Sequence, residues 1–293
     1  MNAWHTAVMT DDPRTLLSLS PGSAGSGRIR YGAAMALYQS GAISAHELEL
    51  WRIASANDRQ DPVAFLAEYG LSAERQAPDP IATLLDEAAH YLGTLPGPGV
   101  AEVRAALARR SGPRRPVTAR ANAVVDAHLS TALAAVTLTH PSLAQAIAAA
   151  SPVLDWITYD RYPIADIGPG FASGHAYCSL MGQDAPYEAP DFDFGLFLIA
   201  PHVLYRDHCH RAPELYAPLT GPHGWRFGPN RPLILKPAHQ PVWNDPNRPH
   251  LTKVGPTPFL AFFGWTRDVD EAAHVLPATD WPQLEALRLK AEP

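Results

Sequence analysis

One run constrains this chain more than any other: Tyr205-Arg-Asp-His-Cys-His-Arg-Ala-Pro-Glu-Leu-Tyr-Ala-Pro-Leu-Thr-Gly221. His208 and His210 stand two residues apart, which puts their side chains on one face of a strand. Arg211-Ala-Pro213 then breaks the strand with a turn, and Glu214 and Tyr216 share one face of the strand that follows. A second turn, Pro246-Asn-Arg-Pro249, delivers His250 to a further strand. Three imidazoles and a carboxylate suit one divalent transition metal with coordination positions left open, the pattern of a catalytic site rather than a closed structural one. The donors predict one such ion and leave its identity open. Cys209 has the opposite parity to its two neighbours and is not expected to ligate.

Such strands need a β-rich surround, and proline usage points to one. The 293 residues include 30 prolines, about twice the usual ~5%, and most lie in the C-terminal half. Proline interrupts helices and sits at turns and strand edges. Short apolar runs there, Trp156–Tyr159, Phe194–Ile199, Pro232–Leu235 and Pro258–Phe263, are separated by Pro, Gly, Asn and Asp. Together they predict a β-sandwich or barrel after residue 152.

The first half reads as helical. Ser44-Ala-His-Glu47 is a capping box flanked by Ile43 and Leu48 at the positions of a hydrophobic staple. Helices are expected over Tyr31–Tyr38, from Ser44 onward, over Ile81–Leu92, and through the Ala-rich stretch Val100–Ala150, where His128 falls on the apolar face. Prolines 78, 80, 96 and 98 bracket the third of these, and the Pro/Gly run at 95–99 marks a boundary. The expected organisation is a helical region 1–95, helices packed on or leading into a barrel over 96–152, and a metal-binding β-domain over 153–293. The fold class is mainly β, preceded by an α-helical region.

A formal net charge of −6 and the lack of a basic face on the second helix argue against a nucleic-acid surface. The two cysteines, Cys178 and Cys209, imply no disulfide framework. The opening residues lack the basic and apolar segments of a signal peptide, and no apolar stretch approaches the ~18 residues of a membrane span. A cytoplasmic protein acting on a small molecule is expected, with monomer and homodimer both open. His223, just past Gly221, reads as a solvated turn residue, and His239 as a loop residue before the strand that leads to Trp243.

The pattern His-x-His-x3-Glu-x6-Gly from His208 to Gly221 is the first cupin motif, and Pro246–His250 is a degenerate form of the second. Further matches are Phe171–Gly182, Gly195–Pro201, Tyr205, Ala-Pro-Glu-Leu-Tyr216, Trp225-Arg226 and Phe-Phe-Gly-Trp265-Thr. Together, across residues 155 to 268, they resemble the cupin-type dimethylsulfoniopropionate lyases and their wider superfamily. The resemblance implies a cupin (double-stranded β-helix) barrel that holds zinc, iron, manganese or a similar ion. It also implies β-elimination of dimethylsulfoniopropionate to acrylate and dimethyl sulfide, with the family's candidate base tyrosines falling on Tyr205 and Tyr216. The Leu-Thr-Lys-Val after His250 departs from the family at the pocket rim.

Elimination requires a base for the proton α to a carboxylate. Tyr216 is two residues from Glu214 and shares its inward face, so spacing favours it. Tyr205 is three residues before His208 and would point away unless a bulge intervenes near Arg206-Asp207. A sulfonium would be held on aromatic faces, with Trp243, Trp265, Tyr177 and Phe262 as candidates. Two alternatives share these donors: an iron-dependent cupin dioxygenase, which needs no Tyr216, and a non-catalytic metal-binding cupin sensor.

Overall fold

A computed structural model of the chain describes residues 13–17, 19, 21, 22, 24–70 and 79–290. The opening residues 1–12 and Pro78, both used in the sequence reading, lie outside the described residues. The chain divides into two compact units between Asp79 and Pro80, so the helix expected over Ile81–Leu92 falls in the unit that holds the barrel.

The first unit contains α1 (Pro13–Leu17), α2 (Ser26–Gln39), α3 (Ala45–Ala54) and α4 (Pro62–Glu68). The expected capping box closes in both directions: Ser44 Oγ accepts the Glu47 N–H at 3.1 Å and Glu47 accepts the Ser44 N–H at 2.6 Å. Asp58 accepts the backbone N–H groups of Gly25 and Gly27 at 2.8 Å each, fixing the start of α2. Ala34, Leu50, Trp51 and Leu66 form a small core, and His46 is exposed on α3.

The second unit opens with α5 (Pro80–Gly93), α6 (Val100–Leu107), α7 (Ala123–Thr137) and α8 (Pro141–Ala150). The helical stretch expected over Val100–Ala150 is interrupted over 108–122, where Gly112, Pro113 and Pro116 cannot sustain it. Two short helices follow, α9 (Ile164–Ile167) and α10 (Pro169–Ser173), and α11 (Trp281–Ala286) lies near the end. The strands are β1 (His175–Gly182), β2 (Tyr187–Glu188), β3 (Asp193–Ile199), β4 (Leu204–Cys209), β5 (Glu214–Pro218), β6 (His223–Arg226), β7 (Ile234–Lys236), β8 (Val242–Asn244), β9 (His250–Lys253), β10 (Phe259–Trp265) and β11 (His274–Val275). Trp156–Tyr159, expected as a strand, makes only a single bridge, Ile157 to Tyr177. Among the described residues no helix is long and apolar enough to cross a membrane.

Two sheets result, ordered β2-β1-β3-β10-β5-β8 and β11-β4-β9-β6-β7. The larger is buried on both faces. Leu196, Leu198, Leu215 and Phe262 pack outward against α5–α8, while Phe197, Tyr216, Phe259 and Phe263 pack inward with Tyr205 and Trp225 of the smaller sheet. Burial on both faces is why Phe194–Ile199 is an unbroken apolar run rather than an alternating one. The motif glycine, Gly221, sits where a Cβ would come within 2.3 Å of the Ala238 backbone nitrogen, so no side chain fits.

His223 is not in a solvated turn. It opens β6 and is 1% exposed, because both ring nitrogens find partners. Nδ1 accepts the Gly255 N–H at 3.1 Å, which leaves Nε2–H to Thr220 Oγ1 at 3.2 Å. His175 is equally buried, donating Nδ1–H to Phe171 O at 2.6 Å and accepting the Tyr159 N–H at 3.0 Å. Burial lowers these imidazoles to about 3 for His223 and about 4 for His175. An unfolded histidine titrates near 6.5, so on acidification the unfolded chain takes up protons first. The stability these groups contribute is therefore complete above about pH 6.5 and is lost as pH falls toward their folded values. His223→Gln, which keeps a neutral hydrogen-bonding group, should flatten the dependence of unfolding free energy on pH by about 1.4 kcal/mol per unit between roughly pH 4 and 6. Urea titrations of the chelator-treated protein at several pH values measure this, and an unchanged slope would show that His223 titrates in the folded state.

Candidate active site

His208 lies on β4, His210 follows that strand, Glu214 opens β5 and His250 opens β9. All four side chains are buried. Each imidazole is oriented from behind by a backbone carbonyl close by in the chain. His208 Nδ1 lies 2.8 Å from Arg206 O, His210 Nδ1 2.8 Å from Ala212 O, and His250 Nδ1 2.9 Å from Arg248 O. A carbonyl can only accept, so each Nδ1 carries the proton and each Nε2 lone pair is left to point inward. Among the described residues these three alone form a cluster able to hold a metal ion, their ligand atoms lying within 4.8 Å of one another. Glu214 Oε2 lies 3.3 Å from Nε2 of both His210 and His250. It also accepts Asn244 Nδ2–H at 3.1 Å, and Oε1 accepts Trp265 Nε1–H at 2.8 Å.

These donors fit a divalent cation. The Nε2 atoms of His208 and His250 are buried without a hydrogen-bond partner, a state that costs free energy unless a ligand satisfies it. Burial, reinforced by His250 and His210, holds His208 well below its ordinary value, which keeps the imidazole neutral as a ligand must be. Burial alone would raise Glu214, but His210 and His250 outweigh it and hold the carboxyl well below the usual carboxylate range. Cys209 takes no part; its Sγ lies 3.1 Å from His274 Nε2.

Simple alternation fails at Tyr205, and the structure shows why. Tyr205 pairs with Thr252 and His208 with His250, so three steps along β4 match two along β9. The extra residue is a bulge, and it turns Tyr205 to the same side as His208. The phenol ring stacks on His208 at 3.8 Å and on Phe171 at 3.9 Å, with its hydroxyl 3.0 Å from that of Tyr162. Asp207, within the bulge, is locked by a fully buried two-point ion pair with Arg226 and accepts Trp281 Nε1–H at 2.8 Å. Burial, with Tyr162 and Tyr216 nearby, raises the Tyr205 phenol well above 10. Burial and the adjacent Glu214 do the same to Tyr216.

The cluster lies against a cavity of about 820 Å³ whose lining includes His210, Glu214, Tyr205, Tyr216, Tyr177 and Trp265. Strand register explains the lining. Asn244, Glu214, Trp265 and Asp193 stand opposite one another across β8, β5, β10 and β3, so they share one face. The next row is Val242, Tyr216, Phe263, Gly195 and Ser179. Two expected substrate contacts are not in the lining. Phe262 alternates with Phe263, so it packs outward, stacked on Phe194 at 5.3 Å. Trp243 pairs with Leu215 rather than Glu214 and packs on the outer core beside Gly99. The sequence reading missed Tyr162, Asn244 and Asp193, which carry no motif and acquire neighbours only through pairing or an irregular loop. His239 lies in a turn, within 3.1 Å of Tyr91 and Thr139, and His128 is half-buried on α7.

Two facing sheets with three converging histidines and a carboxylate define a cupin barrel. Residues 99–261 match the model of the dimethylsulfoniopropionate lyase family. That is more than half of the chain, which belongs to this family of carbon–sulfur lyases; the match begins within the helices before the barrel. Among solved structures, one described as the dimethylsulfoniopropionate lyases RdDddP and RnDddQII is similar with a TM-score of 0.53 and 20% identity, covering 68% of this chain and 98% of that one. The dimethylsulfoniopropionate lyase DddQ from Ruegeria pomeroyi DSS-3 gives a TM-score of 0.53 and 20% identity, over 68% and 97%. No curated protein matches the sequence.

Arg226→Met should cost about 3–5 kcal/mol of unfolding free energy, the scale for leaving one member of a buried ion pair uncompensated. Arg226 also pairs with the partly exposed Asp280, so the double change Arg226→Met with Asp207→Leu should recover only the part of that loss that comes from Asp207. Denaturant midpoints of the three proteins measure both, and a loss under about 1 kcal/mol in the single variant would show that Asp207 does not depend on Arg226.

Proposed function

We propose that this protein is a metal-dependent lyase that performs β-elimination on dimethylsulfoniopropionate, yielding acrylate and dimethyl sulfide, or on a related β-substituted carboxylate. The observation that carries this reading is the convergence of three imidazoles and Glu214 beside a cavity that His210, Glu214 and two buried tyrosines line. His208, His210, His250 and Glu214 would hold the ion. When bound, a divalent cation supplies positive charge that stabilises an enolate-like transition state and lowers the pKa of nearby phenols.

Tyr216, beside Glu214, is assigned as the base that takes the α-proton onto its phenolate oxygen. Tyr205, held by stacking and by the Tyr162 hydroxyl, orients the substrate and is the alternate base, since the bulge removes the parity objection to it. Trp265 and Tyr177 present aromatic faces to the sulfonium end.

His250→Ala and Glu214→Ala should lose most of the bound metal while the barrel stays folded, because apolar burial and not the ion holds the two sheets together. Elemental analysis after purification, with circular dichroism, checks this; full metal content in either variant would mean that other ligands hold the ion.

Metal-loaded protein should release dimethyl sulfide into the headspace, with acrylate in solution, equally with and without dioxygen. Strict dependence on dioxygen would overturn the lyase reading in favour of an oxygenase. Tyr216→Phe should keep its metal and lose at least ~10²-fold in turnover, the scale for removing a general base. If Tyr205→Phe is the inactive variant and Tyr216→Phe is near wild type, the two roles are exchanged; full activity in both excludes tyrosine as the base.

A further inference from the structure

Along the inner face, the row that begins at Glu214 continues through Trp265 to Asp193 and ends at Gly182, which has no side chain. Asp193 thus stands two strand spacings from Glu214, about 10 Å backbone to backbone, and lines the same cavity. Its carboxyl accepts from Ser179 and from the Phe194 backbone N–H. Oδ1 is nevertheless buried with no hydrogen-bond partner, and among the described residues none forms an ion pair with Asp193. The side chain as a whole keeps partial exposure toward the cavity.

A desolvated carboxylate without a counter-ion is costly, and such a group at a cavity wall is a hallmark of a binding site. A purely structural role would be served as well by an uncharged group able to accept from Ser179 and Phe194. We propose that Asp193 is the counter-ion that recognises the cationic end of the substrate and sets the preference for an onium carboxylate over a neutral one. This rests on the proposed function, in which the substrate carboxylate faces the histidine cluster.

The dimensions agree. In a three-carbon onium carboxylate the charges lie roughly 5 Å apart by ordinary bond lengths. That span fits between the cluster and Asp193 once the two protein side chains extend inward. Trp265 stands between them in the row, its ring stacked on His210 at 4.5 Å, and Tyr177 lies on the neighbouring strand. The arrangement pairs aromatic faces with one carboxylate, as recognition of a methylated cation requires. Two perturbed groups support it. Burial pushes the Asp193 carboxyl up to about 7 with no cation among its causes, and burial with Asp193 second pushes the Tyr177 phenol up to about 12 against a smaller opposing pull from Arg161.

The test is calorimetric binding of two inert probes to metal-loaded protein: the betaine of β-alanine, which carries a trimethylammonium, and the carbon isostere in which an uncharged tert-butyl group replaces that trimethylammonium and the carboxylate is kept. Wild type should prefer the betaine by at least about tenfold, and Asp193→Asn should reduce that preference to near unity with metal content and circular dichroism unchanged. Retained preference in Asp193→Asn overturns the proposal. So does equal binding of the two probes by wild type, which decides the matter even if the variant fails to fold. Turnover reports on the proposed function separately. A wild type that releases no dimethyl sulfide yet shows Asp193-dependent preference refutes the reaction and leaves the cation site standing. A wild type that is active, with an Asp193→Asn variant of unchanged KM, refutes the cation site and leaves the reaction.

Discussion

The buried ion pair between Asp207 and Arg226 is the interaction on which the site depends. Asp207 belongs to the one-residue bulge in β4, and its carboxylate is held at two points by a fully buried guanidinium and at a third by Trp281. Without the bulge, Tyr205 and His208 would face opposite sides of their sheet. With it, they stack. The pair therefore exchanges the usual desolvation cost of two charges for one particular register, the use for which buried polar groups are best attested.

Register on the larger sheet does comparable work with apolar residues. Because its outer face is covered by α5–α8, every strand must be apolar on that side, and polar groups are confined to the inner rows. Those rows place Glu214, Trp265 and Asp193 in line, with Tyr216 and Ser179 in the next. Gly195 lies in that second row, where a Cβ would come within 1.9 Å of the Cys178 backbone carbonyl oxygen and 2.9 Å of the Phe263 ring; the absent side chain lets β1 approach and makes room for the ring. Pairing thus distributes charge along the cavity: imidazoles and one carboxylate at one end, a second carboxylate two strands away.

The histidines show how local backbone prepares distant chemistry. Each donates Nδ1–H to a carbonyl two residues away in sequence, so the tautomer of every ring is set by its own turn or strand. Tertiary structure then has only to bring three such prepared rings together, and an ion bound there would meet lone pairs without tautomer rearrangement.

The sequence alone determined the candidate donors of the cupin motifs, the strand–turn–strand frame around them and the helical first half. These follow from local spacing: period 2 in His208-Cys-His210 and Glu214-Leu-Tyr216, prolines at the turns, and the capping box at Ser44. The side to which Tyr205 points, the outward packing of Phe262 and Trp243, and the burial of His223 were decided by the tertiary structure. Each depends on a partner remote in sequence: Thr252 and Arg226 for the bulge, Leu215 for the parity of Trp243, Gly255 for the imidazole of His223. A bulge changes parity without leaving a compositional trace, and in a sheet buried on both faces an apolar residue reads the same whether it turns inward or outward. Asp193 was invisible for the same reason, since nothing near it in the chain announces a charge set in line with Glu214.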